Sequence, residues 1–196
     1  MTTKTLLGSV LLASVLMTGT LCADNNVTVT YVQDDAIQAK GLKQTKGLID
    51  AIKPSLMESF KKDKTGVEGT VMCSDAAQEM TATYNKTLPE GSLIRRTAIK
   101  YRNPANKPDA TDLVVMEDIV ADGNFSKAWV VDMNDTFRVY KSLPMHKPCL
   151  VCHGDKDKMP QKMKDMISKK YPNDLATGLK EHEFRGVIVS EIKKEK

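Results

Sequence analysis

Between residues 31 and 62 apolar positions recur at close to helical spacing, with Val32, Ala36, Ala39, Leu42, Leu48, Ile52 and Phe60 set among Lys, Asp and Gln. That period predicts a long amphipathic helix. Pro54 is expected to kink or split it, because proline has no N–H to donate. Lys61 to Gly66 ends the segment, and a second helix is expected from Val71 to Tyr84, carrying Cys73, Ala76, Ala77 and Met80 on neighbouring faces. From Leu93 to Tyr101 the period shortens to two and β-branched residues enter, which predicts the first strand. Pro104 and Pro108 then stiffen a polar loop, after which Thr111 or Asp112 is expected to cap a short helix through Val120. Lys127 to Met133 and Thr136 to Leu143 alternate around Asn134-Asp135, a hairpin signal. A Lys- and Met-rich helix follows from Gln161 to Lys169 and stops before Tyr171-Pro172, and Gly186 to Ile192 reads as the last strand before a solvated tail. Helices and antiparallel strands in this order predict an α+β fold with about four strands. The alternation across 127–143 excludes an all-helical reading.

The N-terminus predicts export. Lys4 precedes an apolar run from Leu6 to Met17, and Cys22-Ala23 stands before Asp24, the pattern of a signal peptide over residues 1–23 cleaved after Ala23. The run is too short to span a bilayer comfortably and no stop-transfer segment follows, so no integral span is expected after cleavage. A lipid anchor on Cys22 is disfavoured because the bulky Leu21 precedes it. About 170 residues remain, which suits one domain over 24–196. The chain carries a formal charge of +4 with basic residues scattered along it, and aromatics make up only 5%. That combination offers no base-stacking, basic surface and excludes a nucleic-acid partner. Scattered lysines would suit an acidic redox partner at a periplasmic location.

Cys149-Leu150-Val151-Cys152-His153 is the motif with chemistry. C-x-x-C-H is the attachment sequence for haem c, with two thiols for thioether bonds and an imidazole placed for the iron. Its rivals fit poorly. A thioredoxin-like pair opens a helix in a βαβ unit, whereas Pro148 and Gly154 bracket this motif on a Lys-rich loop. Tetrahedral zinc needs a second Cys or His pair, and none has the spacing. One covalent haem c is therefore expected, with iron bound by His153. Cleavage leaves three thiols, and the motif uses two. Cys73 is the survivor. It reads either as a buried, inert small hydrophobe or as a thiolate at the sixth iron position. Its expected place near a helix start would favour the thiolate.

Several landmarks together resemble a known family of exported or sensor-linked single-haem c-type cytochromes with a PAS-like fold, long catalogued as a domain of unknown function. The resemblance spans roughly residues 35–193. It is carried by Val71-Met72-Cys73-Ser74, Arg102-Asn103-Pro104-Ala105-Asn106, the C-x-x-C-H, and Tyr171-Pro172-Asn173-Asp174-Leu175-Ala176-Thr177-Gly178 leading to Arg185-Gly186. It implies haem against a PAS-like antiparallel sheet, with N-terminal helices, a C-x-x-C-H haem-attachment helix, and His153 and Cys73 as the axial ligands. A thiolate ligand in turn implies a low reduction potential. The chain departs from the family where His182-Glu183 precedes Arg185-Gly186; His182 and His146 read as surface residues. Met116, Met145 and Met159 would be thioether ligands only if Cys73 were not used, and each fits core or surface better. Arg102 and Asn103, with Arg96 and Arg138, are candidate propionate partners, since guanidinium forks suit carboxylates. The expected function is one-electron transfer to a partner protein, not catalysis. The alternative is a redox or gas (CO/NO) sensor that exchanges Cys73.

Overall fold

The computed structural model describes residues 27–195, so the expected signal peptide over 1–23, Cys22 included, lies outside the described residues. The first element is a two-residue strand, β1 (Thr30–Tyr31), which pairs with β3. It replaces the expected start of the long helix. That helix, α1 (Asp35–Lys62), begins where Asp34 accepts a hydrogen bond from the Ile37 N–H at 2.9 Å. It runs unbroken through Pro54, contrary to the expected split. Proline removes one hydrogen bond, and the packed face of a 28-residue helix outweighs that loss.

Next come α2 (Val67–Val71), a π-helical turn (Met72–Ala76) and α3 (Ala77–Asn85). The strands β2 (Leu93–Thr97), β3 (Ala128–Asp132), β4 (Thr136–Pro144) and β5 (Phe184–Lys193) join β1 in one sheet of order β1-β3-β4-β5-β2. Every neighbouring pair is antiparallel. Five strands stand where about four were expected. The hairpin closes with the Met133 N–H donating to Thr136 O at 2.9 Å. At the outer edge of β2, Asn85 stands in for a further strand: its Nδ2 donates to Ile94 O at 2.9 Å, and its Oδ1 accepts the Ile94 N–H at 2.7 Å. An edge so occupied resists pairing with other chains.

Helices cover both sheet faces. On one, Leu48 and Ile52 of α1 pack with Met72, Ala77, Ile94 and Ile188. Gly41 lets α1 lie close to β4, since a Cβ there would meet Val139 Cβ at 2.4 Å. On the other face, α4 (Ala110–Asp122) buries Val115, Met116 and Ile119 against Val131, Tyr140, Val187 and Val189. β5 is therefore buried on both sides, which explains why it reads as an apolar run rather than a strict alternation.

The cap of α4 is Asp109, not Thr111 or Asp112. Asp109 accepts the Asp112 N–H at 2.8 Å while Asp112 accepts the Asp109 N–H at 3.1 Å, a reciprocal capping box. Asp112 is wholly buried. Its carboxylate takes Arg95 Nη1 and Nη2 at 2.7 and 2.9 Å and the Tyr140 hydroxyl at 3.0 Å. Arg138 binds Asp109 at 2.7 Å and, with Arg95, reaches Glu191 at 3.2 and 3.1 Å. Arg138 is thus committed to acids that tie α4 to the sheet. Replacing Asp112 with Ala removes the bidentate partner of Arg95 and the carboxylate that accepts from the buried Tyr140 hydroxyl, so we expect a loss of about 3–5 kcal/mol. Urea unfolding monitored by circular dichroism measures it; an unchanged midpoint would contradict the central role of this carboxylate.

Candidate functional site

After β4 the chain enters the Cys149–His153 motif through a single 3-10 turn, Lys147–Cys149, and a four-residue helix, α5 (Leu150–His153). Pro148 supplies the fixed φ for the turn, and the Gly154 N–H closes the helix onto Leu150 O at 2.9 Å. Such a short helix is held by its neighbours. Cys152 is buried in a cluster with Met159, Met163 and Ile167, flanked by Phe60, Val67 and Val151. Met163 and Ile167 belong to α6 (Gln161–Lys170). The Cys152 sulfur lies 3.4 Å from the Thr70 hydroxyl. Gly66, at φ 79°, lets the start of α2 come this close: a Cβ there would meet Val151 Cγ1 at 2.3 Å and Met163 Cε at 2.9 Å.

The carbonyl side of the motif is clasped by a distant loop. Arg102 Nη2 donates to Cys152 O at 2.7 Å. The Leu179 N–H donates to His153 O at 3.0 Å and the Gly178 N–H to Gly154 O at 2.8 Å. His153 Nδ1 lies 2.7 Å from Ala176 O. A carbonyl oxygen can only accept, so Nδ1 carries a hydrogen, and in the neutral ring Nε2 then keeps its lone pair. The imidazole retains some accessible surface, yet burial, then the cations Arg185 and Arg102, hold it well below the usual histidine range. It is neutral. A neutral imidazole oriented through Nδ1 is the form that binds a metal.

Cys73 lies in the middle of a continuous helical run rather than near a helix start. The π turn carries it, with the Ala77 N–H donating to Met72 O, and π turns are frequent at functional sites. No helix N-terminus is available to stabilise its thiolate. Burial raises the thiol, the neighbouring Cys152 adds to this, and Arg96, Arg102 and Arg185 oppose it. The residue nevertheless has an exposed surface; accessible area within dense surroundings describes a recess. The π turn is tied to the motif's side of the molecule by the Tyr171 hydroxyl, which donates to Ser74 O at 3.2 Å, and by the Lys170–Asp75 ion pair.

The structure thus brings Cys73, Cys152 and His153 together, with Arg102 among them. Arg102 Nε is also paired with Asp174 Oδ1 at 3.1 Å, so this guanidinium holds the motif's backbone. Asn103 accepts the Ala105 N–H at 2.9 Å and shapes its own loop. His146 and His182 are exposed, as expected of surface residues. Met116 and Met145 are fully buried, and Met159 belongs to the Cys152 cluster. Sequence reasoning does not single out Ala176, Thr70 or Arg185 as site residues, because backbone acceptors and long-range packing leave no mark in a linear motif. Among the described residues no group of three or more His, Cys, Asp or Glu could cage a bare metal ion. A metal here would have to arrive with its own equatorial ligands, and the neutral His153 with its free Nε2 fits that demand. A cavity of about 870 Å³ lies elsewhere, lined by Tyr31, Asp34, Leu42, Trp129 and Lys141 among others. It contains none of these groups, and size alone does not make it the site.

In the haem-free chain, burial predicts that Cys73 reacts with iodoacetamide along a pH curve lying above that of an ordinary thiol, because only the thiolate is nucleophilic. Mass-resolved alkylation rates between pH 7 and 10 check this, in a Cys149→Ser, Cys152→Ser background. A curve at or below the ordinary position would contradict the desolvated environment.

This arrangement can be compared with known proteins. The fold resembles the crystal structure of the cyanobacterial heme-protein Tll0287, with a TM-score of 0.63 over 84% of this chain and 99% of that one, at 20% sequence identity. No curated protein matches the chain. Residues 20–192 match the Tll0287-like family, a span that takes in every strand but the last residue of β5 and all the residues of the site. The chain belongs to the Tll0287-like family.

Proposed function

We propose that this protein is an exported monohaem c-type cytochrome that transfers single electrons to a partner protein. The observation that carries the reading is the hydrogen bond from His153 Nδ1 to Ala176 O at 2.7 Å, which orients the imidazole through Nδ1 and leaves Nε2 without a protein partner, immediately after two motif cysteines. Cys149 and Cys152 would hold the haem through thioethers, and His153 and Cys73 would be its axial ligands. Arg102 keeps the motif's backbone in place, and Asn103 shapes the loop that presents Arg102. When bound, the haem supplies a one-electron iron couple. The relative's description as a heme-protein supports this cofactor. A PAS-like label is supported by the strand order, in which β2, first of the longer strands, pairs with β5, the last. Periplasmic location rests on the N-terminal sequence. No helix among the described residues is long and apolar enough to cross a membrane.

A second reading, a redox or gas sensor, is favoured by one observation at Cys73. Burial favours its neutral thiol, so the thiolate depends on a positive partner. A haem held by His153 and Cys73 would supply that positive partner, and a weaker charge on it would favour the protonated Cys73 thiol and its exchange for CO or NO.

Low-temperature EPR of the ferric protein, wild type against Cys73→Ala, tests the ligand set. We expect a low-spin thiolate signature in the wild type that vanishes in the variant. An unchanged spectrum would remove Cys73 from the iron. CO added to the reduced wild type separates the readings: binding supports sensing by ligand exchange, and a six-coordinate iron that refuses CO supports simple electron transfer.

A further inference from the structure

Two arginines beside the motif lack the counter-ions that the protein's other buried arginines have. Arg95 and Arg138 share Asp109, Asp112 and Glu191, and Arg102 has Asp174. Arg96, on β2, has only Gln78 Oε1 at 2.9 Å, and its Nε is buried with no hydrogen-bond partner. Arg185, on β5, has only the carbonyl of Lys100 at 3.0 Å. β2 and β5 are neighbours in register, with Thr97 opposite Val187, so the two guanidiniums leave adjacent strands toward one end of the sheet. Both sense Cys73, and Arg185 also senses His153. Burial pulls Arg185 down to about 10 and lowers Arg96 as well, as expected of cations desolvated without anions. Asp174 acts on Arg185 favourably but spends its short contact on Arg102.

A buried guanidinium is costly unless an anion compensates it, and two of them side by side repel each other as well. Fold stability gives no reason to leave this pair without acids, since Arg95, Arg138 and Arg102 are each paired with a carboxylate. Planar forks with free N–H groups, next to a metal-ready imidazole, suit a ligand with two carboxylates. We propose that Arg96 and Arg185 receive the two propionates of a haem held at Cys149, Cys152 and His153. The inference rests on the haem reading and deepens it, moving propionate recognition away from Arg102, Asn103 and Arg138 to a pair on the sheet.

The test uses the mature chain made without haem loading, titrated with ferric mesoporphyrin IX and with its dimethyl ester. Neither porphyrin has vinyl groups, so thioether formation plays no part, and the two differ only in the propionate charges. The wild type is expected to bind the diacid more tightly by roughly tenfold for each charge-assisted contact. Arg96→Gln and Arg185→Gln are each expected to lose about tenfold for the diacid while leaving the ester unchanged. Equal affinity of the wild type for diacid and ester would overturn the inference while leaving haem binding intact, and this comparison needs no variant to fold. A preference retained in both variants would also overturn it. Failure of the wild type to bind either porphyrin would defeat the haem reading itself, a distinct result.

Discussion

A helix of four residues has no stability of its own, so the geometry of Cys149–His153 is borrowed from the loop that clasps it. Asp174 is the hinge of that clasp. Its Oδ1 takes Arg102 Nε at 3.1 Å and the Ala176 N–H at 2.9 Å. Arg102 can then reach the Cys152 carbonyl while Ala176 presents its own carbonyl to His153. The bond to Cys152 O, with those from the Leu179 and Gly178 N–H groups to His153 O and Gly154 O, satisfies carbonyls that a one-turn helix leaves unpaired at its C-terminus. The clasp also selects the imidazole tautomer, which the motif by itself leaves undetermined. Sheet, α1 and α4 form the support, with Arg96 and Arg185 carried on the adjacent strands β2 and β5.

The electrostatics of the site follow from the same packing. Burial discourages charge on several groups there: His153 is lowered, the Cys73 and Cys152 thiols are raised, and Arg96 and Arg185 are lowered. Such a site favours ligands whose charges complete its own. On the proposed reading, a ferric haem with two propionates would bring a cation for a Cys73 thiolate and anions for the arginines, so that each desolvated group would gain a partner.

Much of this was legible in the sequence because the signals were local. The period-two run across 127–143 forecast β3 and β4 within a residue, and C-x-x-C-H with a leftover cysteine drew attention to Cys152, His153 and Cys73. Local signals failed where tertiary contacts decided. β1 is two residues long, too short for a period to register. The π turn shifts Cys73 without changing residue spacing, so its supposed place at a helix start was misread. Asp109 was passed over as a cap although Asp109-Ala110-Thr111-Asp112 has capping-box spacing. Pro54 suggested a break, but the packed face of α1 overrides it. The role of Arg102 as a backbone clamp, the acceptor role of Ala176 and the missing counter-ion of Arg185 arise from segments some 25 to 85 residues apart in the chain and have no linear signature.

The most direct measurement is the intact mass of the mature protein, produced in a host that exports and matures c-type cytochromes and analysed under denaturing conditions. The account predicts the chain mass after loss of residues 1–23 plus one haem that survives denaturation, with the increment abolished in Cys149→Ala, Cys152→Ala. A chain that carries no covalent haem while the host loads its own cytochromes normally would contradict it.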